Sequence, residues 1–398
     1  MTDKQCRLSC EQALDDGENI WFSLLRENGL CKLEKSTGKI EYVLRFPTDA
    51  EAERLYKAMA KVGDILVIAP WNASADIVIY NCRTKQLVTV KLKENWSALK
   101  FCNCIAYKRK VFIIGCYYPG IVCLDLDTFE IKYIDDWVDE IEKVRDLTAP
   151  YLTEGIAENH KLICPFCGIN ALLETDMDTM HTRIIWLSTQ LLGFNGMIKV
   201  GKEYWLMAWN AGMVLVLDEK YQNQEEISIL DGQGRQIEQK VAFHRPVLAR
   251  DKVMLFPANE FHVYEIDPIT KKVIISKGFE EILAKRKKRD PRIADLTFVI
   301  QYSEKNIVIV FPYDDSWHLY DYKTNLIKSF EIKADRNINM ILLKNKYRKV
   351  LEERRFSLNE YIKLIESLYD TEEFATGIVD EKFGKKIHEN TIKSLSNI

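Results

Sequence analysis

One pattern of strands and turns recurs along most of the chain and constrains its fold more than any other feature. In each copy, an apolar stretch and a loop precede a second apolar stretch that ends in Asp or Asn and then Thr. A third stretch of alternating character follows, and residues 110–134 show the unit most clearly. Apolar runs bounded by turn residues are typical of β-strands. The turn after the second apolar stretch marks the copies, at Thr37, Thr84, Thr128, Thr179, Lys220, Thr270 and Thr324.

These seven marks are 41 to 54 residues apart, which is the period expected for the blades of a β-propeller. A further apolar strand precedes most of the units, as in residues 99–107, 192–200, 241–249 and 296–304. The repeat therefore predicts an all-β fold, a seven-bladed β-propeller of four-stranded antiparallel blades. Radial stacking of the sheets would bury both faces of each blade. We expect the propeller to occupy residues 1–333.

The period ends after Lys333, and residues 334–398 are predicted to form a C-terminal α-helical extension. In residues 338–352 and 357–369, Ile, Leu and Tyr recur at helical spacing. These helices would pack on the propeller or bind a partner. In an alternative interpretation, residues 339–343 form a strand that closes the first blade, whose innermost strand is otherwise supplied weakly by residues 4–13.

The turn segments of the repeat resemble segments of known propeller types. The residues from Leu124 to Thr128, and from Tyr320 to Thr324, resemble the apolar-x-Asp-x-x-Thr segment of kelch-type and quinoprotein-type propellers. The resemblance covers roughly residues 1–333 and implies architecture only. Kelch blades also carry paired glycines, and WD-type blades carry Gly-His and Trp-Asp pairs. This chain has neither in register, so no family active site is transferred to it.

Composition excludes some functions. The formal net charge of −3 and the pI of about 6.2 argue against a dedicated nucleic-acid binder. No apolar run approaches the length of a membrane span, and the polar, acidic N-terminus is unlike a signal peptide. We therefore expect a cytoplasmic protein without a membrane span. Nucleotide-binding glycine motifs are also missing from the sequence, and we expect no cofactor.

Cysteine and histidine give weak metal signals. The six histidines are at least 18 residues apart, so no local pair has the spacing of metal ligands. Cys164 and Cys167 form a Cys-x-x-Cys motif, which is either a redox pair or half of a zinc site completed by Cys102 and Cys104. Because no helix follows the motif to lower a thiol pKa, we interpret the ten cysteines as mainly buried structural thiols and expect no metal.

The loops between the second and third strands of the blades place aromatic residues beside Asn, Asp or Glu. Rings can cover the C–H surface of a ligand, while amides and carboxylates bind its hydroxyl or N–H groups. The pattern predicts a non-catalytic binding or scaffold protein that recognises a glycan or a peptide segment of a protein partner. Alternatively, the rings only plug the ends of the blade cores. The candidate ligand-binding residues are Trp71, Asn72, Tyr117, Tyr118, Trp209, Asn210, Asn259, Glu260, Tyr313, Asp314 and Trp317.

A second hypothesis is a propeller-fold carbohydrate-active enzyme, a hydrolase, lyase or isomerase. It requires two carboxylates, or His244 and a carboxylate, to converge at the mouth of the central channel. The candidate residues are Glu154, Asn195, His244, Arg245, Glu260 and Asp314.

The longest insertions between blades, at residues 48–54, 137–151, 231–240 and 278–295, should lie on the same face as the aromatic loops. Residues 137–144 and 279–283 show helical spacing. The basic run from Lys285 to Arg289 is interpreted mainly as a solvated helix end, with binding of a phosphate or an acidic segment as the alternative.

Overall fold

The computed structural model describes residues 8–346 except for residues 9, 26, 49–53, 73–75, 94–98, 147, 288–297, 304–305, 311–315, 322 and 333. Within this part of the chain, the strands form seven four-stranded antiparallel sheets. Strands that follow one another in sequence are neighbours in each sheet, so every blade is a simple meander. The predicted seven-bladed β-propeller is confirmed.

The strands of each blade are given from the innermost to the outermost. Blade 1 consists of β1 (Cys10–Asp15), β2 (Asn19–Leu24), β3 (Leu30–Glu34) and β4 (Ile40–Leu44), and blade 2 of β5 (Tyr56–Val62), β6 (Ile65–Pro70), β7 (Ile77–Asn81) and β8 (Leu87–Val90). Blade 3 consists of β9 (Phe101–Tyr107), β10 (Lys110–Gly115), β11 (Ile121–Asp125) and β12 (Ile131–Ile134), and blade 4 of β13 (Ile156–Glu158), β14 (Lys161–Pro165), β15 (Ala171–Asp176) and β16 (Thr182–Trp186). Blade 5 consists of β17 (Phe194–Val200), β18 (Glu203–Ala208), β19 (Met213–Leu217) and β20 (Asn223–Ser228), and blade 6 of β21 (Val247–Ala249), β22 (Lys252–Leu255), β23 (Tyr264–Ile266) and β24 (Val273–Ile275). Blade 7 consists of β25 (Phe298–Ser303), β26 (Asn306–Val310), β27 (Ser316–Asp321) and β28 (Leu326–Glu331).

The turns that mark the repeat join the third and fourth strands of the blades. In blade 3, Oδ1 of Asp125 accepts hydrogen bonds from the backbone N–H groups of Asp127 at 2.9 Å and Thr128 at 3.1 Å. The residue after the Thr, Phe129, has a left-handed φ of 60°. The side chain thus replaces backbone partners that a tight turn leaves unpaired. The same pair of hydrogen bonds recurs at Asn81, Asp176, Asp267 and Asp321.

The cores lie between neighbouring blades. Val67 and Ile79 of blade 2 pack in one buried cluster with Val111 and Val122 of blade 3. Backbone hydrogen bonds also cross from blade to blade on the face where the innermost strands begin. For example, the N–H of Lys100 donates to the carbonyl of Trp71 at 2.8 Å. Side-chain burial on both faces of a sheet explains the nearly continuous apolar runs of the second and third strands.

The ring is closed without exchange of a strand, because all four strands of blade 1 are consecutive in sequence. Strand β25 of blade 7 lies beside β1. The ring centroids of Phe22 in blade 1 and Trp317 in blade 7 are 5.3 Å apart in an edge-to-face contact. The N–H of Leu8 donates to the carbonyl of Ile332 at 3.0 Å, which joins the two ends of the propeller directly.

Three short helices occur among the described residues. α1 (Val138–Ile141) and α2 (Glu280–Lys287) lie in connections between blades, as the helical spacing there predicted. Lys285, Arg286 and Lys287 of the basic run end α2, and the rest of the run is outside the described residues. α3 (Arg336–Lys346) belongs to a compact unit separate from the unit Leu8–Ile332. No described helix combines the length and the apolar character that a membrane crossing requires.

α3 corrects one alternative from the sequence. Residues 339–343 lie within this helix, so the strand proposed for them is wrong. The innermost strand of blade 1 is β1 at Cys10–Asp15 instead, which ends two residues beyond the weak segment expected for it. Residues 347–398, including the second predicted helix of the extension, are outside the described residues.

Candidate functional site

A cavity of about 320 Å³ lies where the innermost strands begin, and residues from blades 1 to 6 line it. We call this side of the propeller the upper face; it carries the loops between second and third strands and the connections between blades. The lower face carries the other two sets of turns. The polar and aromatic residues that line the cavity are Gln12, Lys57, Trp71, Tyr117, Thr153, Glu154, Asn195, Trp209, His244, Arg245 and Phe256.

The polar lining residues come from irregular starts of the innermost strands. In β5, Tyr56 pairs with Pro70 and Met59 pairs with Ile68, so two residues face a single residue of the next strand. Lys57 is one of these two. Asn195 occupies the same place in β17, where the pairing shifts between Phe194 and Met197. Such β-bulges turn a side chain away from its regular direction and are common beside functional sites.

Blades 4 and 6 show a longer version of the same irregularity. An isolated bridge joins Leu152 to Phe166, and regular pairing resumes only at Ile156 with Ile163. Glu154 lies in the intervening segment. In blade 6, a bridge joins Phe243 to Pro257, and the regular pairing begins at Val247 with Met254. His244 and Arg245 lie in that segment, outside the regular ladder, and the N–H of His244 still donates to the carbonyl of Phe256 at 3.0 Å.

Glu154 and Arg245 form an ion pair at the cavity, although blade 5 separates their blades. Nε of Arg245 is 2.9 Å from Oε2 of Glu154. Gly196 makes the approach of Arg245 possible, because a Cβ at this position would be 2.4 Å from Cβ of Arg245. The neighbouring Asn195 donates from Nδ2 to the carbonyl of Phe243 at 2.8 Å. The bulge in β17 therefore connects blades 5 and 6 and leaves room for Arg245 to pack against Gly196.

Two tryptophans of the cavity occupy equivalent positions in blades 2 and 5. The N–H of Trp71 donates to the carbonyl of Leu55 at 2.8 Å, and the N–H of Trp209 donates to Gly193 at 2.9 Å. Both residues directly follow the second strand of their blade. Trp71 is 5% exposed, whereas Trp209 is only half-buried and presents more of its ring to a ligand. Tyr117 adds a third ring, and burial raises the pKa of its phenol, which therefore stays neutral at physiological pH.

Lys57 is held against the cavity wall by Trp71. Its ammonium nitrogen is 4.3 Å from the centroid of the indole ring, which is within the range of a cation–π interaction. Among the described residues, no carboxylate forms an ion pair with this ammonium. Lys57 therefore contributes a positive charge that the described part of the protein does not neutralise by pairing.

Two cysteine thiols also line the cavity. A hydrogen bond to Cys116 and burial raise the pKa of the Cys102 thiol well above its usual value. Among the smaller influences, Glu154 raises this pKa and Lys57 lowers it, so both charged groups lie close enough to Cys102 to act on it. The Cys102 thiol is therefore protonated at neutral pH, and both cysteines supply apolar surface to the cavity.

The structure places six other predicted ligand-binding residues outside the cavity lining. Tyr118 is buried with its ring centroid 5.0 Å from that of Phe101. Trp317 lies in β27 rather than in a loop and is 1% exposed. Asn259 donates to the carbonyls of Lys240 and Val241, and Glu260 accepts from Gln239. Asn72 and Asn210 are half-buried at the starts of their loops, and Tyr313 and Asp314 are outside the described residues.

Four of the residues considered for an enzyme lie together. Glu154, Asn195, His244 and Arg245 all line the cavity, whereas Glu260 does not and Asp314 is outside the described residues. Sequence reasoning missed Lys57, Cys102 and Thr153. A break in strand alternation was the available signal for them. For the predicted Asn195 the signal is the adjacent Gly196, since a glycine within a strand indicates a bulge.

The Cys-x-x-Cys motif is part of the core. Cys164 and Cys167 are both 0% exposed, and burial raises the pKa of each thiol. Cys102 packs in the cluster of blades 3 and 4, whereas Cys104 packs in that of blades 2 and 3. Among the described residues, no three side chains of His, Cys, Asp or Glu are arranged to hold a metal ion.

Comparisons with known proteins agree on the fold. No protein-family model matches the chain, and no curated relative matches it either. Virginiamycin B lyase from Staphylococcus aureus is similar in structure with a TM-score of 0.58 and 10% identity, covering 79% of this chain and 95% of the lyase. The computationally designed protein Ika8 has a TM-score of 0.54 at 12% identity, covering 82% of this chain and 88% of Ika8.

Hsv2 from Kluyveromyces lactis is a third similar structure, with a TM-score of 0.51 and 8% identity over 82% of this chain and 99% of Hsv2. An enzyme and a designed protein are thus among the structures with this architecture. At such low identities the similarity establishes a shared propeller fold, and function must be argued from the cavity itself.

Proposed function

We propose that the chain binds a polar ligand, a unit of a glycan, in the cavity of the upper face. The observation that carries the proposal is that the rings of Trp71, Tyr117 and Trp209, from three different blades, line one cavity together with polar residues. These polar residues are Glu154, Asn195, His244 and Arg245. Its volume of about 320 Å³ is at the lower end of the range for small-molecule sites. One or two sugar rings are a suitable occupant of such a space.

The chemistry of the lining supports a sugar over a purely apolar ligand. Trp209 and Tyr117 can cover the C–H face of a sugar ring. The Glu154 carboxylate accepts hydrogen bonds from hydroxyl groups, and Arg245 donates them. Because the Glu154–Arg245 pair is held across blade 5 by the bulge at Gly196, its geometry is set before a ligand arrives. Such pre-organisation reduces the entropic cost of binding.

A glycan array probed with the full chain tests this proposal, followed by titration of any ligand found. Trp209→Ala should weaken binding by about 1–3 kcal/mol, the scale of a buried aromatic anchor. Thr270→Ala, in a turn of the lower face, is the control and should bind normally. Both variants need melting temperatures close to that of the parent protein. Normal binding by folded Trp209→Ala would contradict the proposal, and capture of a peptide segment without any glycan would replace it.

A second candidate function, catalysis on the bound glycan, is favoured by His244. This histidine lines the same cavity as the Glu154 carboxylate, and an acid–base pair of this kind is what glycan cleavage or isomerisation requires. Mass spectrometry of a bound oligosaccharide after prolonged incubation provides the test. Products that appear with the parent protein but are absent with His244→Ala, at unchanged affinity, would support catalysis. Recovery of only the intact oligosaccharide would contradict catalysis and leave binding as the proposed function.

A further inference from the structure

The charges in the cavity do not balance. Among the described residues, its acidic and basic lining groups other than His244 are Lys57, Glu154 and Arg245. The Glu154 carboxylate is paired with Arg245 at 2.9 Å, so these two charges compensate each other. Lys57 forms no ion pair with the described part of the chain, and it leaves the cavity with one positive charge in excess.

The position of Lys57 makes this charge available to a ligand. The bulge in β5 separates Lys57 from regular strand pairing, and the indole of Trp71 supports its ammonium at 4.3 Å. Lys57, Glu154 and Arg245 all line the same cavity of about 320 Å³. A ligand that fills this cavity can therefore contact Lys57 as well as the Glu154–Arg245 pair.

We propose that the ligand carries an oxyanion, and that the cavity recognises an acidic glycan unit whose anionic group pairs with Lys57. This inference rests on the glycan-binding function proposed above and specifies its substrate class. A half-buried ammonium has lost part of its hydration, and a charge-assisted hydrogen bond from an anionic ligand would replace it. The sugar ring would then lie against Trp209 or Tyr117, with its hydroxyl groups toward the Glu154–Arg245 pair.

Uronic acid oligosaccharides and their methyl esters form a matched pair of probes, because esterification removes the charge and retains the sugar. We expect the parent protein to bind the acid form about tenfold or more tightly than the ester, the scale of one charge-assisted hydrogen bond. Lys57→Met should reduce this ratio to about one, whereas Lys57→Arg should retain most of it. Lys220→Met removes an exposed lysine from the lower face, and it should leave the ratio unchanged.

Added salt should weaken binding of the acid form more than that of the ester. Sulfated and phosphorylated sugars in the same series would show which oxyanion is preferred. Equal affinity for acid and ester, or an unchanged ratio in folded Lys57→Met, would overturn the inference and leave glycan binding intact. Failure of the folded parent protein to bind either form, or any other glycan on the array, would overturn the proposed function and this inference together.

Discussion

The lower face of the propeller repeats one turn in most blades, whereas on the upper face the innermost strands of blades 2, 4, 5 and 6 depart from regular pairing where they begin. On the lower face, Asn81, Asp125 and Asp176 accept the same two backbone hydrogen bonds. On the upper face, bulges present Lys57 in blade 2 and Asn195 in blade 5. The same architecture thus keeps one face uniform and varies the other. Uniform turns stabilise the blades, while the irregular strand starts supply diverse side chains to one cavity.

The largest effect should come from crowding the upper face. A Cβ at Gly193 would be 1.7 Å from the carbonyl oxygen of Cys167 in the neighbouring blade, and φ there is +81°. Because the obstacle is backbone, the two blades would have to separate. Gly193→Ala is therefore expected to lower the free energy of unfolding by about 3 kcal/mol or more, measured by urea denaturation.

Gly201 on the lower face provides the matched control. Its φ of +60° is also left-handed, but no atom lies within 4 Å of a Cβ built there. Gly201→Ala should cost about 1 kcal/mol, from backbone conformation alone. Equal losses for the two alanine variants would show that blade contact at the upper face is looser than the structure indicates.

A smaller effect is expected from removing one turn of the lower face. Asp125→Ala deletes both hydrogen bonds to the backbone of the turn in blade 3. The expected loss is about 0.5–1 kcal/mol in the free energy of unfolding, as for the loss of a capping side chain. Ligand binding should be unaffected, because the cavity is at the opposite ends of the strands. A loss of binding at full stability would contradict the separation of the two faces.

The smallest effect is the pH dependence that the turns of the lower face contribute. Hydrogen bonds from backbone N–H groups hold the pKa of Asp125, Asp176 and Asp267 below the usual value. Since the folded pKa is lower than the unfolded one, these carboxylates stabilise the fold above the unfolded pKa of about 3.9. The contribution is lost as the pH falls through the folded values.

Replacing all three by Asn isolates this contribution, since Asn81 already forms the same turn in blade 2. The measurement is the melting temperature of both proteins between pH 6 and pH 3. At pH 6 the parent protein should melt at a higher temperature than the triple variant. The difference should shrink toward pH 3. A constant difference over this range would mean that the three carboxylates do not contribute to the acid sensitivity of the fold.

Much of the fold could be predicted because its signals are local. The Thr marks of the repeat fall between the third and fourth strands of the blades, and the two helical insertions appear as α1 and α2. The exception was residues 339–343. A short apolar run fits a strand and a helix equally well, and its context selected the helix α3.

The site was only partly accessible to the same reasoning. The aromatic residues near the loops could be recognised in the sequence, but the structure puts them in two different environments. Trp209 lines the cavity, whereas Trp317 is buried in the contact between blades 7 and 1. Residue type alone cannot separate these cases, because a ring suits a core and a ligand equally.

The sequence by itself determined the number of blades, their strand order and the turns of the lower face. These features depend on hydrogen bonds and apolar contacts within about 50 residues, so a period in the sequence is enough to specify them. Only the tertiary structure decided that Glu154 pairs with Arg245 and that Lys57 shares their cavity. The ring brings together residues almost 200 positions apart, and bulges aim them inward. Ring closure is not recorded in the spacing of residues along the chain, and a strand glycine such as Gly196 indicates a bulge without indicating which residues the bulge brings together.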